Sequence, residues 1–210
     1  MLSNDAIKAC FLEYGTKATV AQCEQIRTYI AVLLKWNTVI SLTSVTKEAE
    51  ILRYHFGESV FAASVVPNLN GRLADVGAGA GFPGLPLRIV CEDLELLLIE
   101  SNAKKCAFLN EVVRQLDLTG VQVVHSRYED AAHLGRVDVV ASRALGSYRE
   151  LLTWTSSVLA PGGSLVLWLG EDDATAVASR GQFLWQPKIL IPGSKRRYLL
   201  LGTPAVSPSD

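Results

Sequence analysis

Two acidic residues at the ends of apolar runs, with a glycine-rich stretch after the first, are the side chains best placed in this sequence to do chemistry. Asp75 follows Leu73-Ala74 and precedes Gly77-Ala-Gly79-Ala-Gly81-Phe82-Pro83-Gly84, and Glu100 closes the run Leu94–Ile99. The glycines omit Cβ atoms where a backbone must bend sharply and where a ligand can come close. Gly79-x-Gly81-x-x-Gly84 satisfies the dinucleotide fingerprint, in which a pyrophosphate sits on a helix N-terminus. Asp75 opposes that reading, because its charge at the strand end repels a pyrophosphate and suits a cationic ligand. S-adenosylmethionine, with an ammonium and a sulfonium, is such a ligand. Glu100 can accept hydrogen bonds from both hydroxyls of a ribose, but NAD-binding turns place an acid at a similar distance, so Glu100 does not separate the two cofactors. The charge argument favours S-adenosylmethionine; an NAD turn and a purely structural turn stay open.

Other candidates are more equivocal. Arg143, at a strand end, reads as a cleft residue or as half of a structural ion pair. His55, on a helix, reads as a contact to a base or phosphate or as a histidine satisfied by a neighbour. Lys104 and Lys105 open a helix, where a cation opposes the helix dipole, and this favours a functional role for the pair. Arg127, Arg149 and the run Lys195-Arg196-Arg197 add positive charge, the run reading equally as a solvated hairpin turn. An extruded base could stack on Phe82, Tyr148 or Trp168, with Phe82 and Trp168 also readable as core.

The elements that must position these groups follow from periodicity. Leu73–Val76 reads as a strand entering the glycine-rich turn, and a helix opens near Pro83-Gly84, since proline suits a first helical turn. Beyond it strands and helices alternate: strand Leu94–Ile99, helix Asn102–Leu116, strands Val121–Val124 and Val137–Ala141, helix Tyr148–Leu159, strand Ser164–Leu169. This predicts an α/β fold, a doubly wound parallel sheet with helices on both faces, whose ligands bind beyond the carboxyl ends of the strands. Phe183–Ile191 and Arg197–Leu201, joined by Pro192-Gly-Ser194, predict a closing hairpin. Ahead of the sheet, apolar residues at helical spacing predict helices over Asp5–Tyr14, Thr19–Val39 and from Thr46 to before Pro67. The expected organisation is one domain: a helical N-terminal extension over 1–70, a core over 71–203 and a loose tail over 204–210.

The chain has 210 residues, 49% hydrophobic and 20% charged, with a formal net charge of −1. That is ordinary globular composition, and nucleic-acid binding would need a local basic patch rather than an overall field. Cys10, Cys23, Cys91 and Cys106 show no C-x-x-C spacing and no metal-ligand pattern with the histidines, so they read as free apolar thiols and no metal is expected. Without a basic N-terminal region and apolar core, or an apolar run of the ~18 residues a membrane helix needs, a cytoplasmic protein without membrane contact is expected. A monomer is the expected state.

An ordered set of motifs carries a family resemblance over most of the chain. Trp36-Asn37 with Leu42-Thr43, His55-x-x-Glu58-Ser59, Asp75 through Pro86, Glu100-Ser-x-x-Lys-Lys105-x-x-Phe-Leu, Ser126-Arg-x-Glu129 and Ser142-Arg-Ala144 resemble the ribosomal RNA small subunit methyltransferase G family, also called the glucose-inhibited division protein B family. The resemblance implies a Rossmann-like class I methyltransferase that uses S-adenosyl-L-methionine to methylate N7 of a guanosine in the 530 loop of 16S ribosomal RNA, with that RNA or the small ribosomal subunit as partner. It also implies cofactor contacts at Gly77, Phe82, Tyr128, Glu129 and Arg143, beside Asp75, Gly79 and Glu100. Lys104, Lys105, Arg127, Arg196 and Arg197 are the RNA-binding candidates, and His55 and Arg143 the positioning candidates. Three positions depart from the family pattern: Ser41 for Asn, Glu58 for Asp and Leu169 for a Lys before Gly170, the last at a strand end expected to face the substrate. Leu169 and the near-neutral charge keep two other readings open: a methyltransferase of the same fold acting on another RNA or a small molecule, and a non-catalytic S-adenosylmethionine-binding ribosome-assembly factor.

Overall fold

The computed structural model describes residues 1–67, 69, 71–143, 146 and 148–205, with Ala132 described by its backbone alone. Helices α1 (Asn4–Glu13) and α2 (Val20–Asn37) start where side chains satisfy free N–H groups: Ser3 accepts from Ala6, and Thr19 forms a reciprocal capping box with Gln22. α2 stops two residues short of the expected Val39, and the Asn37 side chain folds the chain that follows. Its Oδ1 accepts from the N–H groups of Leu42 and Thr43 at 2.8 and 3.0 Å, and its Nδ2 donates to the Thr43 carbonyl at 2.8 Å.

The helix expected from Thr46 to Pro67 is three pieces: α3 (Glu48–Ile51), a π-helical turn (Leu52–Gly57) and α4 (Glu58–Val65). A Cβ at Gly57 would overlap the buried Tyr14 ring, so only glycine lets this wide turn lie against α1. The turn rotates His55 relative to Glu58, as π-turns near functional sites often do.

From Arg72 the chain alternates: β1 (Arg72–Val76), α5 (Gly84–Val90), β2 (Glu95–Glu100), α6 (Ala103–Gln115), β3 (Val121–His125), β4 (Val137–Arg143), α7 (Tyr148–Val158) and β5 (Leu159–Gly170). Then follow α8 (Glu171–Ala178), β6 (Phe183–Trp185), β7 (Ile189–Leu190) and β8 (Arg197–Pro204). The strand order is β3-β2-β1-β4-β5-β8-β6, with β7 also on β8; β1 to β5 are parallel and β8 runs antiparallel to β5. The order reverses between β1 and β4, the crevice where doubly wound sheets bind ligands.

The period-2 alternation of the strands divides two cores. Leu73, Leu96, Leu98, Val139, Ala141, Val166 and Trp168 pack under the N-terminal helices with α5 and α6. Ala74, Leu97, Ile99, Val140, Leu165, Leu167 and Leu169 pack on the opposite face with α7 and α8. Apolar residues at consecutive strand positions are thus explained by a sheet covered on both sides.

The tail departs from expectation in two ways. The first hairpin strand is broken into β6 and β7 around Pro187, which has no N–H to give a ladder. β8 extends to Pro204, which pairs with Phe183, so residue 204, expected in the loose tail, is in the sheet; residues 206–210 of that tail lie outside the described residues. Helix α8 was not foreseen, although Gly170 followed by Glu171, Asp172 and Asp173 is a helix-start signature.

Candidate active site

At the carboxyl end of β1 the chain turns through Gly77, Gly79 and Gly81, whose φ values of +70°, +56° and +84° favour glycine. The Gly77 and Ala78 N–H groups donate to the Ile99 carbonyl at 2.9 and 3.1 Å, fastening the turn to the end of β2. Glu100, 6% exposed, completes the attachment: Oε2 accepts from Gly79 at 2.9 Å and Oε1 from Asn102 at 2.8 Å. Beneath the turn Tyr29 donates its hydroxyl to the Ala80 carbonyl.

Asp75 lies deeper than a ligand contact requires. It is fully buried, Oδ2 accepts from the Gly84 N–H at 2.8 Å, and Oδ1 is buried with no partner. A Cβ on Gly84 would stand 2.8 Å from that Oδ2, so glycine is required for the contact. Burial raises the Asp75 carboxyl from 3.8 to about 7, against the Gly84 hydrogen bond and Arg143, with Glu100 also raising it. The folded value exceeds the unfolded one, so stability from this group is fully present below about pH 4 and lost as pH rises through about 7. Denaturant titrations of wild type and Asp75→Asn across pH 4 to 7 should therefore diverge by up to ~1.4 kcal/mol per pH unit, the wild type losing stability relative to the variant. Parallel curves would show that Asp75 is ionised throughout.

The aromatic residues form a stack rather than an open platform. Phe82 is 8% exposed, with Tyr29 stacked on it at 5.4 Å, His55 at 4.9 Å and Phe56 edge-on at 5.3 Å. No open face is left for a base, so a Phe82 contact to a cofactor would use its backbone. His55 Nε2 lies 2.7 Å from Thr43 Oγ1, and Thr43 is the residue held by Asn37. Burial, with Arg143 adding to it, lowers His55 from 6.5 to about 4, so it is neutral at physiological pH. The first two family motifs thus meet as one scaffold, Asn37 to Thr43 to His55 to Phe82.

Arg143 stands at the end of β4 in a charge cluster that neither of its sequence-based readings foresaw in full. Its Nη2 donates to Glu58 Oε2 at 3.0 Å and to the Tyr54 carbonyl at 2.9 Å, while Nη1 is buried without a partner. Glu58, 1% exposed, also takes Arg197, which donates from Nε at 2.8 Å, and its carbonyl accepts from Trp168 Nε1 at 2.7 Å. Residues 58, 143 and 197 show no local signal of this meeting. Ala144, the end of the Ser142-Arg143 motif, lies outside the described residues.

Two clefts flank this centre. One, of about 190 Å³ at the ends of β1 to β3, is lined by Gly77, Ser101, Ser126, Arg127, Tyr128 and Glu129, bringing three of the expected cofactor contacts together. Tyr128 is half-buried against Trp154 at 5.4 Å, and Glu129 is exposed. The other, of about 220 Å³ at the ends of β4 and β5, is lined by Arg143, Tyr148, Trp168, Gly170 and Asp173 among others. The groups near the first suit S-adenosylmethionine: a carboxylate acceptor at the β2 end, between the lining residues Ile99 and Ser101, for ribose hydroxyls, and a glycine turn at which a ligand can approach the backbone.

The basic candidates separate into two groups. Arg196 pairs with Glu171 and Asp172 at 3.6 and 3.2 Å, and Arg197 with Glu58 while lying over the Tyr54 ring. Lys104, Lys105 and Arg127 form no ion pair among the described residues, and Asn102 caps α6 by accepting from Lys104 and Lys105 N–H groups. The four cysteines are free, and burial raises every one of their pKa values, Cys10 to about 11.

Leu169, expected at a strand end, is 4% exposed: it packs in the core beneath α8 and also lines the wall of the second cleft. Leu169→Lys is expected to lower stability by roughly 2 kcal/mol or more, through lost apolar burial and a desolvated ammonium. Thermal unfolding checks it, and an unchanged midpoint would mean that the lysine extends into the cleft that Leu169 lines.

The profile of the rRNA small subunit methyltransferase G family matches residues 22–185. The chain belongs to that family. The ribosomal RNA small subunit methyltransferase G of Roseiflexus castenholzii is 36% identical over 212 residues, covering 93% of this chain and 91% of the relative. That of Chromobacterium violaceum is 34% identical, covering 89% and 83%. Among solved structures, ribosomal protein L11 methylase from Lactobacillus delbrueckii subsp. bulgaricus superposes with a TM-score of 0.60 at 13% identity, covering 72% of this chain and 79% of that one. The fold is the class I methyltransferase fold, and family membership makes the glycine turn part of a methyltransferase. The NAD reading is thereby set aside.

Proposed function

We propose that this protein transfers a methyl group from S-adenosylmethionine to N7 of a guanosine in the 530 loop of 16S ribosomal RNA, working as a cytoplasmic monomer without a metal. The observation that carries the reading is the Glu100 carboxylate, held by the Gly79 and Asn102 N–H groups at the end of β2 between two residues, Ile99 and Ser101, that line a cleft, in a chain of this family. S-adenosylmethionine, when bound, supplies an electrophilic methyl group on a sulfonium. Glu100 would hold the ribose, the Gly77–Gly79 backbone would lie against the ligand, and Tyr128 and Glu129 would border it.

Guanine N7 has an in-plane lone pair and loses no proton before attack, so the protein's work is placement and tolerance of moving charge. His55 fits this: neutral and bound to Thr43, it orients Phe82 and the turn rather than accepting a proton. Arg143 shapes the crevice from the β4 end. Lys104, Lys105 and Arg127 are the cations left open to phosphates, which position RNA without reading its sequence.

Transfer of a labelled methyl group to immature small subunits tests the proposal, with 7-methylguanosine as the expected nucleoside after digestion. Label on another base, on a small molecule, or binding without transfer would replace it. Lys104→Ala with Lys105→Ala should leave cofactor affinity intact and reduce the slope of log affinity against log salt by ~0.7–0.9 per lost phosphate contact. An unchanged slope would remove the pair from the RNA interface.

A further inference from the structure

The cleft at the ends of β4 and β5 is lined by two acidic groups that the cofactor reading does not use: Glu58, which Arg143 and Arg197 take, and Asp173. Three acids open α8, and two are answered by cations: Glu171 by Lys188 and Arg196, Asp172 by Arg196. Asp173 forms no ion pair among the described residues. It lines the cleft, and Tyr148 Oη donates to its Oδ2 at 3.3 Å. Burial first, and Asp173 second, push the Tyr148 phenol up to about 12, so the hydroxyl remains a donor to that carboxylate. Arg143 and Arg197 also line the cleft, both paired with the Glu58 carboxylate. An exposed carboxylate, the half-buried Tyr148 and the buried Trp168 and Leu169 thus line about 220 Å³ of space.

We infer that Asp173 is the residue that selects guanine, its two carboxylate oxygens accepting from N1–H and from the 2-amino group of the extruded base. The inference deepens the proposed function and rests on it. Guanine alone among the four bases presents two adjacent donors and then an acceptor on its Watson–Crick edge. Adenine and cytosine would turn a ring-nitrogen lone pair toward the carboxylate, and uracil would turn a carbonyl, each leaving a charged acceptor unpaired. Placement agrees with the chemistry. β5 is separated from β1 by β4 alone, so about two strand spacings, ~10 Å, lie between Asp173 and the glycine turn. A purine held at its Watson–Crick edge over β5 directs N7, on its other ring, back toward the β1/β4 crevice. Methylation at N7 makes the purine cationic, and the Asp173 charge then interacts more strongly with the transition state than with the neutral base.

The test uses the full-length protein and small subunits reconstituted with 16S transcripts carrying either guanosine or inosine at the methylated position. Inosine keeps N7, N1–H and O6 and lacks the 2-amino group. Wild type is expected to methylate the guanosine form about tenfold or more faster, the loss of one charge-assisted hydrogen bond. Asp173→Asn should slow guanosine methylation by about 10- to 100-fold, mainly in kcat, and bring the guanosine-to-inosine ratio toward one, with cofactor affinity unchanged by calorimetry. Tyr148→Phe, which removes the hydroxyl that holds Asp173, should lower the same ratio by a smaller amount. A ratio that Asp173→Asn leaves at the wild-type value would overturn the assignment. If wild type labels neither subunit, the proposed function fails and this inference falls with it, a result distinct from an unaltered ratio.

Discussion

Glu58→Ala is expected to destabilise the protein by about 3–5 kcal/mol, the cost typical of leaving one member of a buried ion pair without its partner. Glu58 is 1% exposed, and its carboxylate accepts from both Arg143 and Arg197. The two guanidiniums do not respond alike to its loss. Arg197, 46% exposed, can turn into water, whereas the Arg143 side chain is 20% exposed and already has a buried Nη1 without a partner. Most of the cost is therefore the stranded Arg143 charge, and burial already lowers its pKa. Urea denaturation of Glu58→Ala, Glu58→Asp and the double variant Glu58→Ala/Arg143→Ala would measure it. The double variant should recover part of the loss, and Glu58→Asp most of it. A loss below ~1 kcal/mol in Glu58→Ala would mean that water reaches Arg143, as at an exposed pair.

Glu100→Ala is expected to weaken S-adenosylmethionine binding on the order of 10- to 100-fold, from ~1.5–3 kcal/mol of charge-assisted hydrogen bonding at 1.4 kcal/mol per decade. Both oxygens also anchor the protein itself, one at Gly79 and one at Asn102, so the variant loosens the turn as well as losing the ribose acceptor. Glu100→Gln separates the two contributions. It keeps an oxygen for one N–H group and should fall between wild type and alanine. Calorimetric titration reads the affinity, and an unchanged value in Glu100→Ala would remove Glu100 from the cofactor site. NADH should not compete in the same titration.

Much of the fold was legible because its information is local. Consecutive apolar residues in Leu94–Ile99 and Ser164–Leu169 announce strands covered on both faces, glycines at 77, 79 and 81 announce backbone that other residues rarely adopt, and apolar spacing over Asp5–Tyr14 and Thr19–Val39 announces two helices. The same local logic put Gly77, Glu100, Tyr128 and Arg143 at strand ends, and a doubly wound sheet brings such ends to one edge. The π-turn at Leu52–Gly57 was not legible, because it depends on the Tyr14 ring fitting against Gly57 from another helix.

Which charged and aromatic groups meet was decided by tertiary structure alone. Glu58 finds Arg143 at a separation of 85 residues and Arg197 at 139, and nothing near any of them in the chain encodes the meeting. Phe82 could be read as a stacking platform until Tyr29 and His55 were seen to cover it. Leu169 could be read as an open strand-end position, but strand parity and α8 bury it in the second core with only one side on a cleft wall. The physical reason is the same in each case: backbone conformation and apolar periodicity are set by neighbours within a few residues, whereas charge pairing, burial and pKa depend on the surroundings that packing brings from the rest of the chain.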